Sequence, residues 1–155
     1  MVETTLLAVG RLRPGYRVLC DEYLARLRRY GPIVEREVRE ASRAPTPALR
    51  RKEEGSRLLA AVPERTRLVA LDRGGSAWSS EELARRLDRW REEALDTCLV
   101  IGGDCGLEPA LVAASRVRWS LGPLTLPHEL ARVVVLEQWY RAWTIIRGEP
   151  YHRGA

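Results

Sequence analysis

TCLVIGGDCGL, residues 97–107, runs a short apolar segment directly into a pair of glycines. Thr97–Ile101 shows no polar alternation, so a strand there must be covered on both faces. That pattern belongs to a parallel sheet flanked by helices. Adjacent glycines after a buried strand allow positive φ and a close approach of main chain to a ligand, although a tight strand-to-helix turn uses glycine for the same reason. Working outward, the same alternation repeats. Strands are expected at Thr5–Val9, Ile33–Val38 and Arg67–Leu71, with a less clear one at Ser120–Leu126.

Helical patterns fill the gaps. Tyr16, Leu19, Tyr23, Leu27 and Tyr30 recur on one face between the first two strands, with Pro14 before them and Gly31 after. Thr46–Pro47 reads as a cap and first helical proline within the polar, basic connection 41–52. Ser79 and Glu82 have capping-box spacing ahead of Leu83, Leu87 and Trp90. Another helix opens near Pro109, and a long final one spans about Pro127 to Ile146. No repeat or linker interrupts the series. Residues 1–155 read as one α/β domain, a mostly parallel sheet with helices on both faces.

With 45% hydrophobic and 30% charged residues, the composition is that of a globular chain. Glu3 and a short apolar run argue against a signal peptide, and Arg132, Glu137 and Arg141 break up the most apolar long segment, so no membrane span is expected. Cys20, Cys98 and Cys105 are too widely spaced for a metal clip or disulfide framework, which points to a reduced, cytoplasmic protein without a metal. The net charge of +5 lies in the first part of the chain: residues 1–60 hold thirteen Arg/Lys against eight Asp/Glu. Arginine's fork suits phosphate, so a polyanion such as RNA is a candidate partner; a merely solvated basic surface is the alternative.

The loop after the first strand reads VGRLRPG, which is not GxGxxG, and no Walker A occurs anywhere. A dinucleotide or nucleoside triphosphate site is therefore unsupported. The unusual segment comes late. SLGPLTLPHEL, residues 120–130, alternates Leu121, Leu124 and Leu126 with Gly122, Pro123 and Thr125. It is either an edge strand carrying a proline or a run that presents main-chain amides and carbonyls to a flat apolar ligand. Adenine is such a ligand, and S-adenosylmethionine (AdoMet) offers adenine without phosphate.

LVIGGDCGL (99–107), RWSLGPLTLPHELARVVVLEQWYRAW (118–143) and the terminal PYHR (150–153) together resemble the RlmH family, small bacterial methyltransferases of the SPOUT class that modify a pseudouridine in large-subunit ribosomal RNA. The resemblance covers essentially the full length. It implies a trefoil knot in the C-terminal half, an AdoMet cofactor and a homodimer. By motif, the AdoMet contacts would be Leu71, Gly102, Leu121, Gly122, Pro123, Leu124, Thr125 and Leu126. The chain departs from the pattern at Asp104–Cys105, a spot that varies in the family and where some relatives are expected to carry Pro-Glu, and in the Gly154–Ala155 overhang.

Methyl transfer to N3 of pseudouridine requires loss of the imide proton, so the site must position the base, exclude water and stabilise negative charge. Tyr151, His152 and Arg153 offer a ring, an imidazole and a guanidinium, with Arg141 behind them on the last helix. The resemblance implies that the tail of one subunit completes the site of the other. Trp139, Tyr140 and Trp143 read as core or interface residues, His128 as a helix-start hydrogen bonder, and Asp72–Arg73 as a turn. Three alternatives stay open: a SPOUT enzyme acting on another RNA such as tRNA, a ribosome-binding assembly factor without catalysis, and a nicotinamide oxidoreductase, which the missing GxGxxG disfavours.

Overall fold

The computed structural model describes residues 2–152. Strands β1 (Thr4–Val9), β2 (Ile33–Val38), β3 (Thr66–Ala77), β4 (Asp96–Ile101) and β5 (Val117–Ser120) form one parallel sheet in the order β2-β1-β4-β3-β5. Helices α1 (Pro14–Leu27), α2 (Pro47–Ala61), α3 (Ser80–Glu92), α4 (Pro109–Ala114) and α5 (His128–Ile146) alternate with them, and a 3-10 turn at Pro150–His152 follows.

The pleat divides the core. Leu6, Ala8, Leu99 and Ile101 face α1, α3 and α5, while Leu7, Val9, Cys98 and Val100 face Leu58 of α2 and Leu111 of α4. Both faces are dry, which is why the strand sequences show no alternation. Burying each such side chain contributes about 1.5–3 kcal/mol. The chain steps in one direction from β1 to β2 and from β3 to β4, with α1 and α3 on the first face. It steps the opposite way from β2 to β3 and from β4 to β5, with α2 and α4 on the second. Every crossover therefore has the same hand, as strand twist requires.

The caps form as their residue types dictate. Thr46 Oγ1 accepts from the Leu49 N–H at 3.2 Å, and Ser79 Oγ accepts from the Glu82 N–H at 3.1 Å. Two expectations need correction. On α1 Cys20, Leu24 and Leu27 are buried and Tyr16 and Tyr23 pack against the same core, whereas Leu19 is 43% exposed and Tyr30, though buried, lies beyond the helix end. The last strand is Val117–Ser120, not Ser120–Leu126. Gly122 at φ +114° and Pro123, which has no N–H, end the ladder and leave 121–126 irregular. In β3, Leu71 and Ser76 both sit opposite Trp119, so residues 72–75 bulge out of the sheet.

Candidate functional site

The C-terminal ends of β3, β4 and β5 open into a cavity of about 610 Å³. Leu71, Ile101 and Trp119 enter it from the strand ends, and the glycine turn after β4 forms one wall. The irregular leucine segment and the first turn of α5 form the other. Of the residues expected to hold a cofactor, Leu71, Gly102, Leu121, Gly122, Leu124, Thr125 and Leu126 all line this space. Pro123 is exposed and does not line it.

The turn's geometry explains its glycines. A Cβ on Gly102 would lie 2.6 Å from the carbonyl carbon of Gly106 and 2.9 Å from the Leu107 nitrogen. That contact is backbone against backbone, so no side chain can yield. The Gly106 N–H closes the turn on the Gly103 carbonyl at 3.0 Å. Across the cavity, the positive φ of Gly122 lets the leucine segment fold back over Ser120, whose Oγ accepts from the Gly122 N–H at 3.1 Å.

Five charged or titratable side chains line the cavity as well, Cys105 among them. Asp72 and Arg73 sit in the β3 bulge, and Asp104 projects from the glycine turn toward His128 at the start of α5. His128 Nδ1 lies 2.6 Å from Asp104 Oδ1, tying the two walls together. At the helix start His128 meets Asp104 and not the helix's own amides. Asp72 and Arg73 are more than a turn.

The wall formed by α5 is fixed by ion pairs. The Arg13 N–H and Nε donate to Glu129 at 2.7 and 2.8 Å. The backbone donor, with help from the guanidinium, holds the Glu129 carboxyl below the usual carboxylate range. Arg132, 1% exposed, donates to Glu35 at 3.1 Å, to Glu37 and to the Gly10 carbonyl at 3.0 Å. These bonds lock α5 to the ends of β1 and β2, so the cavity is built in advance.

The tail packs further along α5. Tyr151 Oη donates to Glu137 at 2.9 Å, and Arg141 Nη2 reaches the same carboxylate oxygen at 3.0 Å. The Arg141 guanidinium lies 4.9 Å from the Tyr151 ring centroid, and the Tyr140 ring meets Tyr151 edge-on at 4.7 Å. Burial pushes the Tyr151 phenol well above its ordinary value, and Tyr23 and the Glu137 carboxylate reinforce the shift. The phenol therefore acts as a neutral donor. His152 is half-buried, and its Nδ1 has no hydrogen-bond partner among the described residues. Arg153 lies outside the described residues.

The structure brings Arg141 and Tyr151 together, but not at their own chain's cavity. From Ala131, which lines the cavity, to Arg141 is about 15 Å along the α5 axis at 1.5 Å per residue. Sequence reasoning missed Glu137, which joins Arg141 to Tyr151, and the Asp104–His128 pair. A carboxylate four residues before an arginine on a helix was the available signal for the first. The second pairs residues from separate elements and left no local trace.

A smaller cleft of about 210 Å³ lies at the other end of the sheet, among Trp90, Trp139, Trp143 and Tyr30. It is a packing seam where the strands begin, opposite the end at which open parallel sheets bind ligands. Among the described residues, no group of His, Cys, Asp or Glu is arranged to hold a metal ion. No helix of the described residues is long and apolar enough to cross a membrane.

A family model described as "Predicted SPOUT methyltransferase" matches residues 2–152. A protein of Nitratidesulfovibrio vulgaris named ribosomal RNA large subunit methyltransferase H is 46% identical over 98% of this chain and 99% of its own length. One of the same name from Chromohalobacter salexigens is 41% identical over 96% of this chain and 97% of its own. Among solved structures, a methyltransferase of Legionella pneumophila with bound SAM has a TM-score of 0.51 at 12% identity, covering 92% of this chain and 66% of that one. A methylase family protein from Haemophilus influenzae has a TM-score of 0.53 at 9% identity, covering 99% and 70%. At such identities the structural likeness speaks for the fold alone. Sequence and fold agree: this chain belongs to the SPOUT methyltransferase family.

Proposed function

We propose that this protein methylates N3 of a pseudouridine in large-subunit ribosomal RNA, with AdoMet as methyl donor, as a cytoplasmic homodimer. One observation carries the reading: Leu71, Gly102 and five residues of the 121–126 segment, far apart in sequence, converge on a single cavity lined by leucines and glycines with a few polar groups. Its volume, about 610 Å³, suits a nucleoside-sized ligand. The leucine run that lines the cavity fits adenine, Gly102 lets the opposite wall fold tightly on itself, and the lack of a phosphate loop fits a donor without phosphate. Leu71, Gly102, Leu121, Gly122, Leu124, Thr125 and Leu126 would hold it. When bound, AdoMet supplies an electrophilic methyl group on a sulfonium.

The protein's own work is then positioning and charge. Arg141, held by Glu137, and Arg153 would stabilise negative charge on the carbonyl oxygens that flank N3. Tyr151, a neutral donor, would hydrogen-bond or stack with the base. His152 would orient the base or relay its proton. The tail packs on Glu137 and Arg141, about 9 to 15 Å along α5 from Ala131 of its own cavity, which supports a partner's tail closing each site. Val18 and Leu19, 67% and 43% exposed on α1, leave apolar surface for such contact. The trefoil knot belongs to the same reading and rests on the resemblance and family membership.

Tritiated methyl transfer to intact ribosomes, large subunits, naked ribosomal RNA and tRNA, run in parallel, tests the proposal. Label is expected on large-subunit RNA and absent after mapping to any other nucleotide type. Label confined to tRNA, or no heat in calorimetry with saturating AdoMet, would reject it.

A further inference from the structure

We infer that the connection between β2 and α2, together with the flanking turns of each, is an RNA phosphate-docking surface that feeds the cofactor cavity. The inference rests on the RNA-methylating reading above and extends it to the binding face. Residues 36–52 hold six basic side chains against two acidic ones, so this short stretch carries a net +4 of the chain's +5. One of the two acids, Glu37, is already engaged by Arg132 and Arg17. Arg36, Arg39, Arg43 and Lys52 are exposed, and none forms an ion pair among the described residues. A solvated basic surface with no purpose would scatter such charges; here they are gathered.

Their place in the fold gives them a direction. β2 ends at the same end of the sheet as β4, whose glycine turn walls the cavity. A small hollow joins the two, lined by Glu40, Ala41 and Ser42 from the connection, by Arg50 and Glu54 of α2 and by Asp104 and Cys105 from the turn; its carboxylates put phosphate contact on the outer cations and not in the hollow itself. Arg51 Nη1 donates to the Cys105 carbonyl at 3.3 Å, so the basic segment buttresses the cavity wall directly.

The segment is also held still. The Ala41 N–H donates to buried Glu54 at 3.0 Å, Arg57 Nη1 donates to the Arg39 carbonyl at 2.8 Å, and Arg50 Nε donates to the Ala44 carbonyl at 3.2 Å. Arg50 and Glu54 Oε2 thus serve the shape of the segment, and the outer cations stay free for a ligand. Fixed, unpaired arginines beside a nucleoside cavity match the phosphates that flank a target nucleotide. Each neutralised phosphate releases counterions and steepens the salt dependence of binding.

The test uses the full-length protein and a fluorescent single-stranded RNA of mixed sequence. The triple variant Arg39→Gln/Arg43→Gln/Lys52→Gln should bind AdoMet within twofold of the wild type. Its slope of log affinity against log salt should be shallower by about two, and its RNA affinity at low salt should fall at least tenfold. A triple variant of equal charge loss away from this segment, Arg85→Gln/Arg89→Gln/Arg91→Gln on α3, should change the slope by less than one. Equal slope losses in the two triples would mean net charge alone is at work and would overturn the surface. So would an unchanged slope in the first triple, including the case where it loses turnover only on assembled subunits, which would assign the segment to a protein contact. Failure of the wild type to methylate any RNA while the slope difference persists would sink the methyltransfer reading and leave the docking surface standing.

Discussion

Gly102 shows how tightly one residue constrains this site. Its missing Cβ leaves room for a neighbouring peptide at 2.6 Å, so Gly102→Ala must displace the turn. Overpacking of this kind costs about 1–3 kcal/mol, and the expected outcome is AdoMet affinity lowered about tenfold or more by calorimetry. An affinity within a factor of two would contradict the cradle. The cysteines give a second check. Burial pushes the Cys20 thiol up to about 11 and the Cys98 thiol up to about 12, so neither yields thiolate near neutral pH. Cys105, half-buried on the cavity wall, should be the thiol that a maleimide labels in the native protein, and AdoMet should slow it. Labelling of Cys98 ahead of Cys105, by peptide mass mapping, would refute that.

Glu129 makes a third residue-scale prediction. Its folded value lies below its unfolded one because the Arg13 N–H donates to it. The stability it contributes is therefore complete above the unfolded value, about 4.3, and is lost as pH falls through the folded value. Urea midpoints of wild type and Glu129→Gln should converge as pH drops from 6 toward 3. A gap that stays constant would mean the pair does not titrate as described. At this scale the sequence was only partly legible. Gly102 and the leucines announced themselves by residue type and motif, whereas Asp104–His128 and Arg132–Glu35 join residues from separate elements.

Among the elements, the tail and α5 form one unit. The sequence reading placed an aromatic, an imidazole and guanidinium groups near the chain's end, and the structure seats Tyr151 on Glu137 and Arg141 of α5. Truncation after Pro150, or His152→Ala, should leave AdoMet binding within about twofold while methyl transfer falls at least a hundredfold, the usual worth of a positioned acid–base or orienting group. Unchanged turnover would show the tail to be packing only. The buried runs of β1 and β4 were legible because a strand covered on both faces has no polar alternation to hide it. The last strand was placed too late because the leucines of 121–126 mimic strand alternation, while Gly122 and Pro123 override it. On α1 the tyrosines and Leu27 pack as their spacing implied, while Leu19 turns outward and Cys20, passed over in the sequence, is buried.

At the level of the whole molecule, strand order and a constant crossover hand bring three strand ends to one cavity and the basic β2–α2 connection to its edge. Sequence periodicity reported strands and helices but not their lateral order, because order is set by non-local pairing. It could not report whether one chain makes a complete site, because that depends on a surface shared with another copy. The most direct test pairs two crippled proteins: the chain truncated after Pro150, with its cavity intact, and Gly102→Ala, with its tail intact. Each alone should be nearly inactive in tritiated methyl transfer. Co-refolded in equal amounts, they should regain a sizeable fraction of wild-type turnover, because mixed dimers carry one whole site built from the truncated chain's cavity and the other chain's tail. A mixture no more active than its parents, with mixed dimers verified by mass, would contradict the shared site.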